Sequence, residues 1–427
     1  MTIGVGKSHE FITDDDIRGT VAQGLDDAQL DGKRVLAIIP DSTRTMPMPL
    51  MFRLLTDRLL GSAKAIDFLV ALGTHPPMSE EALNRLVGLT AEERNGKYRD
   101  VGVMNHAWDD PDALRVVGTM SAAEIEALSG GLMSEDVPVA INRMIFDYDV
   151  LLIVGPVFPH EVVGFSGGNK YLFPGIAGPE IIHFFHWLGA VVTNPLINGT
   201  KDTVTRRVVE RAAELVGMPA LCFALVTRHA GNHAIFFGSP REAWSAAADV
   251  AKETHIRYVD RTYDKVLGLA PEMYDDIWTA GKVMYKLEPI LADGADLIID
   301  APHIDEVSYT HGAILDRIGY HTRDYFLKQM EKFEGVPRGI MAHSTHVKGI
   351  GTYEDGVEKP RCNVILATGI PKERCGRINL GYRDPESIDV DEWTGREDEG
   401  VLVVPEAGET LYRLADGSVP RIEDLSS

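Results

Sequence analysis

The chain has 427 residues, 44% hydrophobic and 25% charged, which is enough bulk for two domains with buried cores. Its formal net charge of −22 at pH 7 excludes nonspecific nucleic-acid binding, which needs a basic surface to displace counterions. The same charge is compatible with a small anionic ligand held in a local cationic pocket.

The first strand is expected at Arg34–Ile39, ending before Pro40. A helical pattern follows over 51–60, then a strand at 65–72 and a helix near 79–86. Short apolar runs at 101–104 and 150–154 read as further strands. Helix is expected at 179–188, at 205–215 and at 241–252, with a strand at 221–226 between the last two. After Tyr263 the alternation restarts: strand 266–269, helix 276–291, strand 296–299, helix 324–333, strand 339–342 and strand 362–367. Strands alternating with helices predict α/β architecture with mostly parallel sheets. Two such domains are expected, 1–262 and 263–399, with residues 400–427 forming a hairpin that returns to the first. Ligands of open α/β sheets collect beyond the carboxyl ends of strands, so the active site is expected in a cleft between the domains.

Three cysteines, Cys222, Cys362 and Cys375, have no paired spacing, and no apolar run reaches 18 residues. No secretory leader is recognisable at the start, so a cytoplasmic protein without a membrane partner is expected. Gly4–Ser8 imitates the tail of a phosphate-binding loop but lacks its upstream strand.

Reactive side chains recur just after strands. Asp41-Ser42-Thr43-Arg44 follows the first; the arginine offers a planar fork for carboxylate or phosphate, Asp41 can orient it, and Ser42 and Thr43 add donors. Gly73-Thr74-His75-Pro76 follows the second, with Pro76 stiffening the loop around a histidine suited to proton transfer. His106 follows another strand and is a candidate phosphate contact. The segment from Pro159 to Trp187 is the densest: His160, then Gly167-Gly168-Asn169-Lys170, then His183 and His186 three apart on one helix face. The glycine loop can wrap phosphate with backbone N–H groups and presents a lysine. His183 and His186 do not form the HExxH zinc motif. Further on, Trp278 stands four residues before Lys282 on one helical stripe, and Tyr309 and His311 are candidate polar contacts. For each of these the bland alternative is an ordinary packed loop or solvated helix face.

Asp41-Ser42-Thr43-Arg44, Gly73-Thr74-His75 and the stretch from His160 to His186, with histidine, lysine and histidine ten and then sixteen residues apart, resemble the nickel-dependent lactate racemase superfamily. The resemblance implies a two-domain enzyme that uses nickel in a pincer nucleotide, pyridinium-3,5-bisthiocarboxylic acid mononucleotide. It implies a tether through Lys170 and a nickel ligand at His186; Asp41, Ser42, Thr43, His106, Gly167 and Gly168 are the expected cofactor contacts from their own residue types and places. His75 and His160 are carried over as the acid/base pair, Arg44 as the group that binds the substrate carboxylate or the cofactor phosphate, and Lys282 as a second-domain lysine that helps hold substrate. The reaction implied is inversion of the α carbon of a 2-hydroxy acid, as racemase or 2-epimerase, by hydride abstraction and return. Separate enzymes that supply the cofactor are implied as well; the sequence carries no signal that sets the oligomeric state. Pro76 in place of the common arginine, and Trp278 and Thr279 where lactate enzymes carry tyrosine and glutamine, point to a substrate larger than lactate, with Trp278, Tyr309 and His311 among its contacts. The competing classes are a zinc- or NAD-dependent α/β enzyme and a noncatalytic protein that binds the pincer nucleotide.

Overall fold

The computed structural model describes residues 2–228 and 231–425. The chain forms two compact units. The first runs to Pro159 and resumes over Phe165–Phe185 and Lys201–Thr254; the second holds His160–Gly164, His186–Thr200 and everything from His255 onward. The chain therefore crosses between units five times, and a single boundary near residue 263 does not describe it. His160 and His186 both fall in the second unit.

The first unit is built on a seven-stranded sheet. From one edge the order is Ile3–Gly6, Gly231–Gly238, Ala220–Arg228, Val150–Pro156, Arg34–Ile39, Ala65–Val70 and Val103–Asn105. The last five strands are mutually parallel, and the first two add antiparallel edges. The Gly4–Ser8 imitation thus begins in an edge strand. Alternation works as it should for a sheet covered on both faces. Val35, Ala37 and Ile39 enter one core cluster together with Ile17, Val21 and Leu25 of the helix Asp14–Ala28 and Phe52 and Leu55 of the helix Met48–Leu59. Leu36 and Ile38, pointing the other way, are equally buried. Thr13 starts the first helix with a capping box to Asp16.

From Arg34–Ile39 the chain moves outward to Ala65–Val70 and Val103–Asn105, then returns to lay Val150–Pro156 on the opposite side. The strand order reverses between those two central strands, which leaves a crevice beyond their carboxyl ends. The loops beginning at Asp41 and at Val157 flank it.

The second unit carries a fully parallel five-stranded sheet in the order Gly381–Tyr382, Asn363–Thr368, Leu291–Ala301, Tyr263–Leu269 and Val401–Val404. Its order reverses between Tyr263–Leu269 and Val401–Val404. The tail is not a hairpin: Val401–Val404 joins this sheet, and Leu411–Leu414 pairs in parallel with Ile256–Val259, inside the expected 1–262 domain though part of the second unit. Six residues between strands suggest a hairpin locally, but both tail strands find partners far away in sequence. The expected strand at 339–342 lies inside the helix Arg338–Lys348; its three apolar residues are too short a run to show a period. The expected helix over 276–291 is two short helices, Ile277–Ala280 and Lys282–Leu287, ended by a turn at Pro289. Among the described residues no helix is long and apolar enough to cross a membrane.

Candidate active site

At the crevice of the first sheet, Asp41 is buried and organises its neighbours. Its Oδ1 accepts the Thr43 backbone N–H at 3.1 Å and the Thr43 hydroxyl at 2.5 Å, while its Oδ2 accepts Nδ1–H of His75 at 2.5 Å. Burial pushes the Asp41 carboxyl up, but the His75 hydrogen bond and charge, the Thr43 bond and the Arg44 guanidinium outweigh it and hold the group at about 2. The bond to Asp41 fixes the proton of a neutral His75 on Nδ1 and leaves a lone pair on Nε2. His75 is 44% exposed, so that nitrogen is within reach of a ligand. The Arg44 guanidinium lies 5.6 Å over the ring of Phe158, which ties the loops after the two central strands together. Ser42 is exposed. Thr43, expected as a cofactor donor, gives both its N–H and its hydroxyl hydrogen to Asp41.

The glycine loop is held by groups that the sequence did not reveal. Gly167 has φ +84° and Gly168 φ +59°, both left-handed. A Cβ on Gly167 would stand 2.6 Å from Cγ2 of Val157, and one on Gly168 would stand 2.9 Å from Cβ of Trp244. Arg206, 3% exposed, donates to the carbonyls of Phe165 and Gly167, stacks 4.0 Å over Trp244 and pairs with Glu210 at 3.6 Å. Trp244 Nε1–H donates to Ser166 O at 2.8 Å, and Asn169 Nδ2 donates to Glu210 at 2.7 Å. Burial lowers the Arg206 guanidinium to about 10, against the raising effect of Glu210, so it stays charged. Lys170 follows on the short turn Gly168–Tyr171, half-buried. Gly168→Ala is expected to destabilise the protein by about 2 kcal/mol or more, through the left-handed backbone and the Trp244 contact together. An unchanged thermal midpoint would contradict this packing.

His106, expected at the cofactor, has both ring nitrogens engaged inside the protein. Its Nε2–H donates to Ala177 O at 2.9 Å, and Nδ1 accepts from Asn142 Nδ2 at 3.1 Å. Burial lowers it to about 4, so it is neutral and anchors the strand end. His160 is also buried; its Nδ1 accepts the Val162 backbone N–H at 3.1 Å. On the helix Pro179–Val192, Phe184 and Phe185 are buried while His183 and His186 are half-buried, so the accessible stripe of this otherwise apolar helix carries the two imidazoles. His183 stands edge-on to Trp108 at 6.3 Å.

In the second unit, Lys282 places its Nζ 4.7 Å over the ring of Tyr274, whose hydroxyl donates to Glu409. Tyr274 and Glu409 follow the two strands between which the sheet order reverses. Trp278 stacks on His343 with ring centroids 3.9 Å apart and contacts His311 at 4.6 Å. His343 is buried and bonded by the Tyr285 hydroxyl at 2.8 Å. Tyr309 is 68% exposed; its backbone N–H donates to Asp276, which also caps the Trp278 helix.

The family model "Lactate racemase N-terminal domain" matches residues 17–196. The lactate racemases of Thermoanaerobacterium thermosaccharolyticum and Lactiplantibacillus plantarum are 28% and 29% identical over 165 and 167 residues, 37% and 38% of this chain. Those matches span only 33% and 35% of the two relatives. A Thermotoga maritima protein of known crystal structure is 31% identical, with a TM-score of 0.84, covering 94% of this chain and 98% of that one. The chain belongs to the nickel-dependent lactate racemase superfamily. The lactate racemase apoprotein of T. thermosaccharolyticum, at 18% identity and a TM-score of 0.70 over 93% of this chain and 92% of that one, shares the fold.

Within this superfamily member, Asp41, Arg44, His75, His160, Lys170 and His186 all lie in the matched N-terminal segment. Lys282, Trp278, Tyr309 and His311 lie outside it. The structure brings Asp41, Thr43 and His75 together, and separately Trp278 and His311. It adds Arg206, Trp244, Phe158 and His343, whose residue types carry no local signal beyond apolar, helical or polar pattern.

Proposed function

We propose that the protein inverts the α carbon of a 2-hydroxy acid larger than lactate, as a racemase or 2-epimerase dependent on a nickel-pincer nucleotide. The observation that carries the reading is the Asp41–His75 pair. Asp41 accepts Nδ1–H of His75, so the lone pair of the neutral ring is on Nε2, where removal of a hydroxyl proton requires it.

The donor set fits the cofactor. Among the described residues no three His, Cys, Asp or Glu side chains group as a metal site. A single half-buried imidazole, His186, suits a nickel ion whose softer ligands come with its organic partner. Lys170 would hold or tether the nucleotide, with the amides at Gly167 and Gly168 and the Ser42 hydroxyl beside its phosphate. When bound, the pincer nucleotide supplies a reversible hydride acceptor for the substrate's α hydrogen.

The chain's own residues then do the following. Arg44 and Lys282 bind the carboxylate and keep it fixed while Cα flattens. His75 Nε2 takes the hydroxyl proton as the α carbon becomes that of a planar 2-oxo acid, and Asp41 stabilises the imidazolium. His160 serves the opposite face, so the carbonyl oxygen of the 2-oxo acid can be reprotonated there when the α carbon regains its hydrogen as hydride.

Trp278, held by its stack on His343, supports the larger substrate, because a fixed aromatic wall favours an extended side chain over a methyl group. Tyr309 and His311 offer further polar contacts. Cofactor-loaded protein incubated with enantiopure lactate and with aromatic, dicarboxylic and sugar-derived 2-hydroxy acids should invert one of the larger classes, read by chiral chromatography. Trp278→Ala should reduce kcat/KM for that substrate about tenfold or more relative to lactate. Fast lactate inversion with no activity on any larger acid would overturn the substrate assignment.

A further inference from the structure

We propose that Glu161 is a positioning residue for His160: it supplies the acceptor that converts the ring to its base tautomer. The proposal rests on the assignment of His160 as the second acid/base group.

Nδ1 of His160 stands between two groups with opposite demands. The Val162 N–H donates to it at 3.1 Å, while Glu161 Oε2 lies 3.4 Å from the same nitrogen. Bonded to Val162, a neutral ring must carry its proton on Nε2 and has no lone pair there to receive another. Turned to Glu161, the ring carries its proton on Nδ1, and Nε2 becomes a base. His75 faces no such conflict, because Asp41 fixes the base tautomer outright.

Only the ring turned to Glu161 can take a proton at Nε2; the imidazolium that results keeps its Nδ1–H on Glu161, and the same ion gives the proton back. In the forward step the substrate O–H bond breaks and an Nε2–H bond forms; the Glu161 carboxylate offsets the imidazolium charge. In the reverse step the Nε2–H bond breaks, the O–H bond re-forms and the ring is neutral again. His160 is 8% exposed, so an uncompensated charge there would be costly. The same carboxylate also acts on the buried Tyr285 hydroxyl and the His346 ring. A structural role for Glu161 would be felt at those groups and would leave the His160 tautomer alone.

Nitrogen-15 NMR of histidine-labelled full-length protein tests this, with the His160 signals assigned from a His160→Gln variant. Glu161→Leu should shift the neutral ring toward the Nε2–H form. Glu161→Gln, which keeps the shape and an acceptor but no charge, should lower the His160 titration midpoint by about one unit, tenfold in proton affinity. In cofactor-loaded protein, Glu161→Leu should reduce kcat at least tenfold with KM within threefold. A His160 tautomer and midpoint that do not change in either variant would overturn the proposal. If the NMR shifts occur and the loaded wild-type protein inverts no 2-hydroxy acid, the Glu161–His160 coupling stands and the racemase reading fails.

Discussion

Asp41→Asn is expected to reduce kcat roughly 100- to 10,000-fold while changing KM only a few-fold. The substitution preserves shape, so Thr43 and the loop after Arg34–Ile39 keep their places. What changes is the hydrogen-bond demand on His75. An amide NH2 facing Nδ1 favours the ring with its proton on Nε2, which removes the lone pair that must receive the hydroxyl proton. Loss of the charge also leaves the imidazolium uncompensated. Stability should change too, with a definite pH window. The folded Asp41 carboxyl sits at about 2, below its ordinary 3.8. Its contribution is therefore fully present above about pH 4 and is lost as pH falls through 2. The size is roughly 1–2 kcal/mol, trimmed by solvent screening because His75 is 44% exposed. Wild type should be the more stable near pH 6, and the two proteins should unfold alike near pH 2. A variant with wild-type kcat would remove Asp41 from the proton path.

Arg206→Ala should be the most destabilising single change near the glycine loop, at about 3–5 kcal/mol. It would leave the buried carbonyls of Phe165 and Gly167 without their donor, strip a cation from the face of Trp244 and leave Glu210 without its ion-pair partner. The thermal midpoint of the full-length protein should fall by roughly 6–15 °C, and the loop bearing Lys170 should lose its fixed shape. Arg207 is the internal control. It is the adjacent residue, but 52% exposed and paired with Asp202 on the surface. Arg207→Ala should therefore cost less than about 1 kcal/mol. Equal effects from the two substitutions would contradict the account of the loop.

The contrast between these neighbours shows where sequence reading stops. Arg206 and Arg207 are both arginines on one amphipathic helix, and only the distant Trp244 and the loop carbonyls distinguish them. His75 and His106 make the same point, since each follows a short strand. Asp41, from the adjacent strand end, accepts from Nδ1 of one, and Asn142 and Ala177 engage both ring nitrogens of the other. The parallel core strands were legible because each is a continuous apolar run bounded by turn residues. The antiparallel strand Gly231–Gly238 and the pairing of Val401–Val404 were not, because partner choice is a nonlocal property. The reactive residues of the Pro159–Trp187 segment were legible because glycines, a lysine and histidines crowd an otherwise apolar stretch. The supports beneath them were hidden because their types are those of any core or helix.

In the proposed reaction the α hydrogen moves as a hydride, and the histidines handle only the hydroxyl proton. One enantiomer of the preferred 2-hydroxy acid, deuterated at the α carbon, should be incubated with cofactor-loaded protein in ordinary water and taken to half-inversion. The inverted product should keep most of its deuterium at the α carbon, because the hydride does not exchange with solvent. Complete replacement of that deuterium by solvent hydrogen would mean that the α hydrogen leaves as a proton and would contradict hydride transfer.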